Sequence, residues 1–137
     1  MYQRTYETIE EALIHAFRAG HVPEGSFHHA DHIRMAWAYL RRWPFAQAAA
    51  RFSRDLKRFA TKHGKPNLYH ATVTMAFLAL IAERMDADPE AEWDAFTGAN
   101  PDLLRWKDGP LFDYYDHSIL DNPTARRIFI LPRPRRP

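Results

Sequence analysis

From Glu7 to Ala19 the apolar residues Ile9, Ala12, Leu13, Ala16 and Phe17 recur at helical spacing. The pattern predicts a first helix opened by a capping box of Thr8 and Glu11 and stopped by Gly20. After a turn from His21 to Gly25, Ser26 is placed to cap a second helix running to about Arg42, where Trp43 and Pro44 interrupt it. Pro44 opens a third helix that puts Phe45, Ala48, Ala49, Phe52, Leu56 and Phe59 on one stripe and ends at Gly64. Asn67 is positioned to cap a fourth, Leu68 to about Met85, which is apolar almost all round from Val73 to Ala82 and is expected to be the most buried.

Beyond it the pattern shortens. Asp88-Pro89, Asn100-Pro101 and Asp121-Asn122-Pro123 each pair a capping side chain with a proline at a first helical position, predicting three short helices. Only Ile128 to Leu131 has a short β-like character, so no sheet is expected. The predicted fold is all-α: a compact bundle of four main helices, then short C-terminal helices and an extended tail. Residues 1–131 are read as one helical domain and 132–137 as a basic Arg/Pro tail.

Composition agrees with a packed domain. The chain has 137 residues, 46% of them hydrophobic and 26% charged, which supplies enough apolar surface for a core. No run approaches the ~20 apolar residues of a membrane span, and Met1 to Glu10 is polar where a signal peptide is basic and then apolar. The expectation is a cytoplasmic protein without a membrane partner. The absence of cysteine removes disulfides and thiolate chemistry, so a bound metal would take nitrogen and oxygen ligands. The formal charge is only +2, and the Lys and Arg of the body are read as alternating with Asp and Glu, which argues against a nucleic-acid partner. Gly64-Lys65-Pro66 lacks the spacing of a phosphate loop.

The densest chemistry is Phe27-His28-His29-Ala30-Asp31-His32. On a continuous helix His28 and His32 lie within about 40° of each other and one turn apart, the spacing by which one helix gives two ligands to one ion. The stripe continues through Met35, Ala36 and Tyr39, and His29 turns toward Ile33, Ala36 and Leu40, so the imidazoles share the apolar arc. A buried imidazole needs a hydrogen-bond partner or a metal. His70, on the stripe of Thr74, Phe77 and Ile81, is the third ligand expected. A site of His28, His32 and His70, with His29 and His117 in reserve, would hold zinc, nickel, iron or manganese and leave a position open for water or a small-molecule substrate. Two alternatives stand beside it: a non-catalytic interaction module whose histidines are core hydrogen-bonders, and a metal-free acid–base enzyme using His70 or His29. His15, His21 and His63 are read as structural or solvated, and Trp37, Trp43, Trp93 and Trp106 as core.

Four segments carry a resemblance: Phe27 to His32, Gly64-Lys65-Pro66-Asn67-Leu68-Tyr69-His70-Ala71-Thr72, Ala99 to Leu104, and Ala125 to Pro132. Together they look like a group of short uncharacterised bacterial helical proteins with FHHxDH and GKPxLYHxT motifs. The resemblance implies a self-contained domain and carries over no catalytic residue. In architecture a three-histidine helical bundle resembles the DinB-like metal-binding bundles, which have their HxxxH pair late in the chain rather than in the second helix.

Overall fold

A computed structural model describes residues 8–23, 25 and 27–133. Its helices are α1 (Ile9–Arg18), α2 (His29–Arg42), α3 (Phe45–Lys62), α4 (Ala71–Asp86), α5 (Trp93–Ala99), α6 (His117–Leu120) and α7 (Pro123–Arg127). Short 3-10 turns occupy Pro66–Leu68, Pro101–Leu104 and Pro110–Asp113. The fold is all-α, and no strand forms among the described residues. Ile128 to Leu131 runs extended without pairing. No helix among the described residues is long and apolar enough to cross a membrane.

Local chemistry sets the ends of α1 and α3 where the pattern placed them. The Thr8 hydroxyl accepts the Glu11 N–H at 3.1 Å, and Gly20 takes φ +77°, a left-handed conformation that terminates α1. Pro44 precedes α3, and Gly64 takes φ +70° just past its end. At α5, Asp88-Pro89 forms only a turn, and the helix begins later, at Trp93. Pro101 opens a 3-10 turn rather than an α-helix, whereas Asn122 caps α7 through the Thr124 N–H.

The starts of α2 and α4 differ from expectation, for one shared reason. Ser26, the expected cap of α2, lies outside the described residues, and α2 opens after His28, whose backbone N–H donates to the Asp31 carboxylate at 2.9 Å. Asp31 thus closes the first turn two residues later than a Ser26 cap would. At α4, Asn67 falls in the 3-10 turn and His70 takes the cap, its Nδ1 accepting the Val73 N–H at 3.1 Å. Both histidines therefore sit at a helix boundary rather than on a helix face.

α2 and α4 cross at the centre, between α1 and α3 on one side and the C-terminal turns on the other. Ile33, Trp37, Tyr39, Leu78 and Ile81 are all under 2% exposed. Phe17 links α1 to this core by stacking on Phe52 and meeting Tyr39 edge-on. The C-terminal segment is strapped to α4 by Thr72, whose hydroxyl donates to the Ile128 carbonyl at 2.9 Å and accepts the Ile130 N–H at 3.1 Å. Tyr115 adds a third tie through its hydroxyl to the Ile130 carbonyl. Phe45, expected on the buried stripe of α3, stays exposed at its first turn.

Between α1, α2 and α3 lies a polar cluster that periodicity did not reveal. Asp55 is buried, accepts the Tyr39 hydroxyl at 2.7 Å, and has Arg18, Arg54 and Arg58 within 4.0 Å of its oxygens.

Candidate functional site

The two ends that histidines cap lie next to each other, and between them is a cavity of about 270 Å³. α2 contributes His29, His32, Ile33 and Ala36; α3 contributes Phe52 and Leu56. The far wall is the start of α4, with His70, Val73, Thr74 and Phe77. Leu68 and Trp106, 61% and 43% exposed, complete the lining from its open side. Trp106, expected in the core, is held there by a loop that turns at Asp108 (φ +54°) and Gly109, where an added Cβ would collide with the Arg105 carbonyl. A second cavity of about 350 Å³ shares His32, Leu56 and Leu68 and extends past Phe27, His28 and Tyr69.

The four clustered histidines thus line adjoining cavities, but they are chemically distinct. The His70 Nε2–H donates to the Leu120 carbonyl at 2.7 Å while Nδ1 accepts from Val73, so both ring nitrogens are committed to backbone. This bonding fixes the tautomer and ties α6 to α4. His29 donates its Nε2–H to the Leu103 carbonyl at 3.0 Å and meets Phe77 and Trp106 edge-on. His28 is exposed at the α2 cap. His117 is exposed, stacks on Phe112 at 4.0 Å, and lines neither cavity.

His32 is different. It is half-buried against Phe27, ring centroids 4.1 Å apart, and neither of its nitrogens is hydrogen-bonded to a described residue. Burial, reinforced by His29 and opposed by Asp31, pushes its pKa down to about 4. Burial also lowers His29, against the pull of the Leu103 carbonyl. At neutral pH His32 therefore presents an uncharged ring with one N–H and one lone pair. Thr74 is buried beside the same cavity and its hydroxyl has no side-chain hydrogen bond to a described residue. None of the described side chains lining the cavity is Asp, Glu, Lys or Arg.

The expected three-ligand geometry is not assembled. Among the described residues no group of three His, Asp or Glu side chains could hold one ion. The physical reason lies in the caps: His28 leaves the helical face it was assigned, and the His70 lone pair belongs to the Val73 amide. Thr74 and Leu68 were not singled out from the sequence as site residues. The available signal for Thr74 was a hydroxyl within the apolar run of α4.

A pH prediction follows from His32. The unfolded chain takes up a proton at its imidazole near the ordinary value of 6.5, whereas the native ring does so only near 4. The unfolded state binds more protons in that window, so stability is full above 6.5 and falls as pH drops from about 6.5 to about 4. The loss at this site is up to about 3 kcal/mol, from the shift at 1.36 kcal/mol per pH unit. Urea unfolding of the wild type and His32→Gln between pH 4 and 8 measures it; the variant's curve is expected to be flatter below pH 6.5, and parallel curves would remove the assignment.

Comparison with protein-family models, with curated proteins and with solved structures finds no match to this chain.

Proposed function

We propose that this protein binds a small, uncharged, mainly apolar molecule carrying a hydroxyl, carbonyl or amide group in the cavity between α2 and α4. The observation that carries the reading is that two polar side chains lining the cavity, the neutral His32 ring and Thr74, make no side-chain hydrogen bond to a described residue, among walls free of charge. Hydrogen-bonding groups that face an open cavity can exchange their contacts with water for direct bonds to a ligand that presents a matching donor or acceptor. A charged ligand would lose its hydration with no counter-charge to replace it. A preformed apolar cavity with a few convergent polar groups is the usual form of a small-molecule site.

Acid–base catalysis has less support. A general base works best with a pKa near the operating pH, whereas His32 is far below it, and His29 and His70 have their Nε2–H groups committed to carbonyls. A divalent ion would require His70 to release Val73 or Leu120 and turn toward His32. Binding and stability measurements separate the uncharged-ligand reading from an ion site. With 4-ethylphenol as the probe, calorimetric titration should give a Kd of roughly 0.1–1 mM, as expected for a ligand with so few atoms. The 4-ethylbenzoate anion should bind at least tenfold more weakly, and Thr74→Val should weaken the phenol. Equal binding of phenol and benzoate would refute the uncharged-ligand reading; a rise in melting temperature with stoichiometric zinc or nickel, lost in His70→Ala, would favour an ion instead.

A further inference from the structure

The outer flank of α3 departs from the alternation of charge expected along the body. Its eighteen residues carry Arg51, Arg54, Lys57, Arg58 and Lys62 against a single acid, Asp55. That acid faces inward, its side chain 1% exposed, while Arg18, Arg54 and Arg58, which surround it, are 43%, 51% and 62% exposed. Three guanidinium groups thus share one buried carboxylate, and the surplus positive charge faces solvent.

Arg51, Arg54, Arg58 and Lys62 follow one another at intervals of three and four residues, so they form one ridge about 16 Å long at the helical rise of 1.5 Å per residue. Lys62 is steadied by the Gly20 carbonyl at 3.0 Å, Arg51 lies over the Trp43 ring at 4.6 Å, and Lys57, beside the ridge, lies over Tyr69 at 4.9 Å. Head groups already held in place lose less freedom when an anion arrives. Guanidinium forks suit phosphate oxygens in particular. Between Arg51 and Lys62 no large hydrophobic side chain is exposed, since Phe52, Leu56 and Phe59 all turn inward, and the ridge therefore lacks the apolar anchors of a membrane-surface helix.

We infer that the Arg51–Lys62 ridge of α3, extended by Arg18 of α1, binds the phosphodiester backbone of nucleic acid without reading its sequence. The contact is electrostatic, and affinity should fall steeply with salt because neutralised phosphates release counterions. This surface is separate from the cavity, and its test does not depend on a cavity ligand.

Fluorescence anisotropy of a labelled 20-nucleotide oligothymidylate at 50 mM salt provides the test. Wild type is expected to bind, and the log–log salt slope should lessen by about 1.4 when two phosphate contacts are removed, at about 0.7 per contact on a single strand. Lys57→Ala with Lys62→Ala, which leaves the Asp55 cluster intact, should weaken binding at least fivefold, as should Arg54→Gln with Arg58→Gln if circular dichroism shows it folded. Absence of wild-type binding, or unchanged affinity in the lysine pair, overturns the inference. Tighter binding to vesicles containing phosphatidylserine than to the oligonucleotide overturns it in favour of a membrane surface, and equal binding to polyglutamate overturns it in favour of a general polyanion surface without phosphate preference.

Discussion

Replacing Trp37 with alanine should cost about 3–5 kcal/mol, a large share of the roughly 5–15 kcal/mol available to a folded domain. Trp37 is 1% exposed at the middle of α2, packs on Trp93 at 5.2 Å and Phe96 at 6.3 Å, and has Arg41 over its ring at 4.9 Å. Its removal opens a void that neighbours on two helices cannot fill together. Trp43 supplies the contrast. It is only half-buried between Arg42 and Arg51, so Trp43→Ala should cost about 1–2 kcal/mol. Urea unfolding at pH 7.5 measures both. A cost below about 1 kcal/mol for Trp37→Ala would mean that α2 is not the central helix.

The second large effect belongs to Asp55. Asp55→Ala removes the acceptor of the buried Tyr39 hydroxyl and leaves Arg18, Arg54 and Arg58 to repel one another. Breaking a buried ion pair from one side costs about 3–5 kcal/mol, but these arginines are partly solvated, which reduces the figure to about 2–4 kcal/mol. Tyr39→Phe leaves the carboxylate with its cations and should cost about 1 kcal/mol. Since the two residues share one hydrogen bond, the double variant should be less destabilised than the sum of the singles. Burial and then the Asp55 bond push the Tyr39 phenol well above its ordinary range, so it donates throughout the accessible pH range. Strict additivity in the cycle would show that the 2.7 Å contact contributes nothing.

These effects mark the boundary between what periodicity reveals and what it does not. Helices α1 and α3 are legible because their apolar spacing and their glycine stops are local properties, and the body of α4 because its run of apolar residues is. The starts of α2 and α4 are not, since histidine is outside the residue types that usually cap helices, and His28 and His70 read as the first members of helical stripes. A displacement of two residues at α2 and three at α4 suffices to remove the shared face on which the His28, His32 and His70 ion site rested. The partners of the remaining imidazoles were equally hidden: His29 meets a carbonyl 74 residues away and His70 one 50 residues away. The burial of Asp55 is invisible to periodicity, because nothing within α3 shows that Tyr39 and Arg18 come from other helices to meet it. The neighbourhood of the histidines is what the sequence expressed well, since four of them line two adjoining cavities.

In the proposed binding mode His32, rather than a three-histidine ion site, is the polar anchor of that neighbourhood. Long-range proton–nitrogen spectra of the imidazoles, recorded while 4-ethylphenol is titrated into the labelled protein at pH 7.5, test it directly. The His32 nitrogens should shift in proportion to occupancy, while those of His70, held by Val73 and Leu120, and of the exposed His117 stay in place. An unmoved His32 at saturating ligand, or a joint shift of His32 and His70 when zinc replaces the phenol, would rule out His32 as that anchor.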